Sequence, residues 1–231
     1  MNSSSEHKSP RSRAYNSAVR EDAARQTRLR IVHAAAERFT TAGYAATTMR
    51  SIATAAGVSV ETVNGNGPKR DLLFAAFELA FTGSEGNAPV SSRADFAFAL
   101  ETDDASEMLR RTVHAATDAF ARADGIWRAL TAAADVDPAV AEALTELVHR
   151  RRREFSLAVT ELQRRGLASG VPLERAVDIA TLVLSPESYH HLVSLCDWTQ
   201  EDYERWAAQT LAGQLAELAA SASPVRRRAG S

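Results

Sequence analysis

The sequence predicts an all-α protein. Apolar residues recur at spacings of three and four rather than two, and alanine and leucine are abundant. Only 7 prolines and 11 glycines punctuate the 231 residues, and they stand where that rhythm stops. With 45% hydrophobic residues, the chain can bury a sizeable core as one large domain or two small ones.

In chain order, Met1 to about Val19 is polar, rich in Ser and Arg, and without apolar periodicity, so residues 1–20 read as a disordered basic arm. Arg11, Arg13 and Arg20 could reach phosphate from it, though an inert tail explains it equally. A first helix starts at about Glu21, carries Ile31, Val32, Ala35, Ala36 and Phe39, and ends at Gly43.

The stretch Thr48 to Leu73 reads as a helix-turn-helix. Thr47 and Thr48 can cap a short helix with Met49, Ile52, Ala53 and Ala56 at helical spacing. Gly57 supplies the turn, because glycine alone takes positive φ without a Cβ clash. Ser59 then caps a second helix, with Glu61 in its first turn and Val63 on its inner face. Two short amphipathic helices of any all-α domain would share this spacing. Charge favours the first reading, though a chance imbalance would look the same. Through Leu73 there are 11 Lys and Arg against 6 Asp and Glu, a net of +5, and the remainder holds 16 against 23, a net of −7. Basic charge beside the motif is what a phosphate-binding face needs.

The segment from about Arg28 to Phe81 resembles the N-terminal domain of the tetracycline-repressor (TetR) family of transcriptional regulators. Ile31, Ala34, Ala35, Phe39, Gly43, Tyr44, Thr47, Thr48, Ile52, Ala53, Ala56, Gly57, Val58, Thr62, Val63, Lys69, Leu72 and Leu73 carry the resemblance. One departure stands out. The family's Thr-Val pair is usually followed by a Tyr that touches DNA phosphate and a Phe that anchors the recognition helix. Here Thr62 and Val63 run into Asn64, Gly65, Asn66, Gly67, Pro68 and Lys69, with neither aromatic and one residue fewer.

Within the motif, Thr48 and Lys69, at helix starts, are the candidates for phosphate, and Arg50, Ser59, Glu61, Thr62 and Asn64 for base edges.

Pro68 opens a fourth helix with Leu72, Leu73, Ala76, Phe77, Ala80 and Phe81. A small-residue loop from Thr82 to about Arg93 follows, then a short apolar helix in ADFAFAL. Asp103 or Asp104 caps a helix with Met108, Leu109, Val113, Ala116 and Phe120 that Gly125 is expected to break, leaving Ile126–Ala134 as a separate short helix. Asp137 and Pro138 restart the chain into a long helix to about Arg165, with Val140, Leu144, Leu147, Val148, Phe155, Val159 and Leu162 as its buried stripe. Arg150 to Arg153 point round much of that helix, so most of them are expected in solvent. Pro172 begins another helix, kinked at Pro186 and continued through Leu195. A last helix carries Tyr203, Trp206, Ala207, Leu211, Leu215 and Leu218.

Catalysis finds little support. There is no HExxH, GxSxG, GxGxxG or GxxxxGK[ST] pattern, and NGNGPK lacks the strand and the Ser or Thr of a phosphate loop. Glu187, His190 and His191 lie within one turn but have no second cluster to complete a metal site, so they read as polar or interface residues. No cofactor is implied. A single cysteine, Cys196, excludes an internal disulfide and a cysteine-based zinc site. The N-terminus has no apolar core for a secretory signal, no apolar run approaches a membrane span, and the expected location is the cytoplasm.

The resemblance implies a ligand pocket in the C-terminal part, for which Phe77, Met108, His114, Phe120, Trp127, His149 and Tyr189 are candidates that core packing explains equally. It also implies a homodimer. Ile179, Val183, Leu184, Trp206, Leu211, Leu215 and Leu218 look like more apolar face than one domain would hide, beside the small residues Ala180, Ala207, Ala208, Ala212 and Gly213.

The expected organisation is therefore an arm (1–20), a helix-turn-helix DNA-binding domain (21–73), a helical ligand-binding and dimerisation domain (74–220) and a disordered tail (221–231). The expected function is a DNA-binding transcriptional regulator, a repressor released from a palindromic operator by a small molecule. The alternative is a helical interaction module that has lost specific DNA binding.

Overall fold

The structure is a computed structural model that describes residues 10–85 and 93–222, with side chains from Val19 onward other than those of Asp95 and Ala222. It is helical throughout, and the described residues contain no strand. The chain divides into two compact units, Met1–Ala76 and Phe77–Ser231.

The first unit holds α1 (Pro10–Ala46), α2 (Met49–Ala56), α3 (Val60–Asn64) and the start of α4 (Lys69–Thr82). α1 begins well before Glu21, so residues 10–20 are helix rather than arm; Met1 to Ser9 lie outside the described residues. The early turns lack an apolar stripe, which is why periodicity missed them, yet no glycine interrupts the helix before Gly43, and its one proline, Pro10, is its first residue. At Gly43 the backbone leaves helical geometry (φ 78°), as expected of that glycine. Ile31, Val32, Ala35 and Phe39 are buried with Ile52, Ala53 and Ala56 of α2, Val63 of α3, and Leu72 and Leu73 of α4.

The second unit takes the rest of α4, then α5 (Ala94–Leu100), α6 (Ala105–Ala134), α7 (Pro138–Arg164), α8 (Leu173–Val183), α9 (Pro186–Tyr189), a π-helical turn (His190–Leu195) and α10 (Gln200–Ala222). α6 packs against α5, α7, α9 and α10, and α8 against α7 and α10. Asp104 caps α6, accepting from the Ser106 and Glu107 amides (2.8 and 3.1 Å). Asp137 does the same for α7, with Pro138 in its first turn.

Gly125 does not break α6. A glycine costs a helix interior about 1 kcal/mol relative to alanine, and burial of Ala123, Ile126, Trp127 and Leu130 around it outweighs that. Past Val183 the chain breaks rather than kinks. Leu184 leaves the helix, and Ser185 caps a new one by accepting from the Ser188 amide (3.0 Å). Val148, placed on the buried stripe of α7, is instead exposed. Most of the loop expected after Thr82, and the tail after Ala222, lie outside the described residues.

Tyr203, Leu211 and Leu215 of α10 and Val183 and Leu184 at the end of α8 are buried within the single chain. The unit's own packing therefore hides Val183, Leu184, Leu211 and Leu215 of the expected subunit contact. Ile179, Trp206 and Leu218 are half-buried.

Candidate nucleic-acid interface and cavity

The turn between α2 and α3 is built as its residues dictate. Thr48 and Ser51 form a reciprocal capping box, each side-chain oxygen accepting from the other's amide at 3.1 Å. Gly57 ends α2 in the left-handed region (φ 64°), where its amide donates to Ala53 and Thr54 carbonyls. Ser59 opens α3, its hydroxyl accepting from the Thr62 amide (3.1 Å). Glu61 is fully exposed, and its own amide and the Ser59 hydroxyl hold its carboxyl below the usual carboxylate range.

Thr48, Arg50, Ser59, Glu61 and Asn64 are exposed and Thr62 is half-buried, so the expected base-edge and phosphate candidates fall on open surface of the motif. Lys69 is placed differently. Its ammonium donates to the carbonyls of Tyr44 (2.9 Å) and Thr47 (3.2 Å) and lies 4.0 Å from the centre of the Tyr44 ring.

That clamp bears on the missing aromatics. α3 is only five residues long, and the Asn66 side-chain amide donates to the Thr62 carbonyl (2.7 Å) behind it. Arg28 of α1 donates to the Asn66 carbonyl. Polar contacts from Arg28 and Lys69 thus fasten the segment after Val63, where the resemblance would have led to an aromatic anchor. Thr47 is buried, donating to Gly43 (2.8 Å) and also lying 3.0 Å from the Arg38 carbonyl. It braces the α1–α2 connection, and Thr48 alone caps α2.

The second unit contains a cavity of about 120 Å³, partly open to solvent. Phe81, Phe96, Phe120 and Phe155 give it an aromatic wall, with Leu100, Leu157, Ala116, Ala158 and Thr112 filling between them. Its charged groups are Arg151, Glu154 and Glu161, all on α7. Glu161 is paired with Arg164 (3.0 Å) and Arg165, which lower its pKa. Arg151 makes one hydrogen bond, from Nη2 to the Leu184 carbonyl (3.3 Å), and its guanidinium carbon lies 5.8 Å from the centre of the Trp127 ring. Burial pushes its pKa down, while the nearby carboxylates Glu187 and Glu154 oppose that shift.

Of the expected pocket residues, only Phe120 lines this cavity. Phe77, Met108, Trp127 and Tyr189 are core: Phe77 packs on Trp127 with ring centres 5.4 Å apart, and Tyr189 on Phe120 at 6.1 Å. His114 is exposed and meets Glu204 at 2.9 Å. His149 is exposed beside a separate shallow depression with Arg152 and Glu174. Arg151 was missed because it sits in a run of four arginines, yet it continues the stripe of Leu147 and Phe155 at four-residue spacing. The Glu187 cluster does not converge either, since His190 pairs instead with Asp124 (2.9 Å).

Residues 31–76 match the family model described as bacterial regulatory proteins, tetR family. No curated protein matches the chain. Among solved structures, a protein of Pseudomonas aeruginosa PAO1 described as a transcriptional regulator aligns with a TM-score of 0.67 at 18% identity, over 86% of this chain and 95% of its own. A protein of Syntrophomonas wolfei described as a TetR-family transcriptional regulator aligns with a TM-score of 0.68 at 18% identity, over 83% and 96%. At that identity the likeness is one of fold, and it extends through both units. The matched segment coincides with the helix-turn-helix and its supporting helices: residues 31–76 match the tetR-family model, and the chain as a whole shares the fold of these solved structures.

Proposed function

We propose that the protein is a ligand-released repressor that binds a palindromic operator as a homodimer. The observation that carries this reading is the coincidence of the family match over residues 31–76 with a correctly capped helix-turn-helix whose polar side chains face outward. Two recognition helices enter successive major grooves when a dimer holds them about one DNA turn, roughly 34 Å, apart. A ligand that prefers a conformation with different spacing weakens DNA binding by linkage.

Binding of the purified full-length protein to DNA flanking its own gene, followed at increasing salt, tests this. The N-terminal net charge of +5 leads to an affinity that falls steeply as salt rises. Arg50→Ala and Thr62→Ala should also relax preference among operator variants, each favourable base contact being worth about 1–3 kcal/mol. A salt-insensitive affinity, or one that survives deletion of residues before Phe74, sinks the reading and favours an interaction module without specific DNA binding.

A further inference from the structure

The cavity on α7 combines an aromatic wall with one guanidinium whose donors are mostly uncommitted. Arginine carries five N–H donors. Arg151 spends one of them, on the Leu184 carbonyl at the end of α8, and forms no ion pair among the described residues. The other charges on the wall are less available: Glu161 is held by Arg164 and Arg165, and Glu154, one turn from Arg151, has an interaction of its own. A buried guanidinium that Glu187 and Glu154 reach only through space, with no direct ion pair among the described residues, keeps donors for an anion that presents two oxygens in one plane. One such cation matches a monoanion, and four phenylalanines match an apolar body.

We propose that the cavity takes a carboxylate on an apolar body, with the acid group paired to Arg151 and the body lying along Phe81, Phe96, Phe120 and Phe155. The inference rests on the reading of this unit as the ligand-binding part of a regulator, and it adds the chemical class of the effector. Helix capping alone also accounts for the bond to Leu184, and that role gives no selectivity among ligands.

The test uses the full-length protein and three probes of equal chain length, decanoate, decan-1-ol and decylamine, at about pH 8, where the acid and the amine are ionised. Trp127, 5.8 Å from the guanidinium carbon, serves as the fluorescent reporter. Decanoate should bind at least about tenfold more tightly than decanol, and decylamine more weakly than either. Arg151→Met, which keeps an unbranched apolar stem and removes the guanidinium, should erase the preference for decanoate and leave decanol affinity within about threefold. Arg151→Lys should keep part of the preference, and it decides the matter with the wild-type series if circular dichroism shows Arg151→Met unfolded. Equal affinity for acid and alcohol, persistence of the preference in the folded methionine variant, or no binding of any probe overturns the proposal. DNA binding by the same proteins without probe is read separately: its failure sinks the regulator reading and leaves the fluorescence result to stand or fall alone.

Discussion

Lys69 occupies the first turn of α4, where the helix dipole disfavours a cation, yet its ammonium is tied to two carbonyls and a ring of the α1–α2 connection. Hydrogen bonds from charged donors contribute about 1.5–3 kcal/mol each where water is partly excluded. Lys69→Met should therefore destabilise the N-terminal unit by about 2 kcal/mol, seen as a lower melting temperature without DNA, with loss of operator affinity following from the loosened motif. A variant that melts with the wild type but binds DNA poorly would return Lys69 to the phosphate role that its position at a helix start suggests. Position was all the sequence offered. The partner carbonyls lie 22 and 25 residues away, and a main-chain acceptor leaves no mark in residue type. Arg151 was hidden for a different reason: charge was allowed to outrank its place on the stripe between Leu147 and Phe155.

At the scale of elements, the end of α8 is fixed by α10. The Tyr203 hydroxyl donates to the Val183 carbonyl (3.0 Å) and lies 2.9 Å from the Ser188 hydroxyl, satisfying one of the carbonyls a helix end leaves open. Burial pushes the Tyr203 pKa up to about 12 from an ordinary value of 10. The folded state thus holds that proton more tightly than the unfolded chain. The associated stability is fully present below about pH 10 and is lost as pH rises toward about 12. Tyr203→Phe should cost about 1 kcal/mol at neutral pH through the lost hydrogen bond, and it should flatten the alkaline limb of a denaturation profile. An unchanged alkaline limb places the titration elsewhere, Tyr189 being the neighbour whose pKa is also raised. Caps were the most legible elements: Thr48, Ser59, Asp104 and Asp137 each do what their type and place predict. Gly125 was misread because a single glycine cannot show how much apolar surface its helix buries on either side.

For the whole molecule, an amphipathic stripe in the sequence says that a face is hidden, not by what. The order of helices, the helix-turn-helix and the basic N-terminal bias were legible, whereas the cavity wall and the far side of the last two helices depend on contacts between distant residues. With Leu211 and Leu215 only 1% exposed in one chain, replacing both by Glu should unfold the second unit, because each buries a charge without a partner. It should not yield a folded monomer. The contact of the proposed dimer is better sought on the apolar surface left outside: Leu182 of α8 is 73% exposed and Leu195 of the π-helical turn 63%, while Gly213 and Ala216 leave exposed small-residue positions on α10. Small residues let helices from two chains approach closely, and a stable dimer of this sort commonly buries at least about 2,000 Å². Leu182→Glu should leave the fold and its melting transition intact at low concentration, convert the protein from dimer to monomer, and abolish operator binding. Sedimentation of the wild type and the two variants at micromolar concentration decides it. A monomeric wild type, or a Leu182→Glu protein that still dimerises, removes this face as the contact, and a folded, monomeric Leu211→Glu/Leu215→Glu protein restores the stripe on α10.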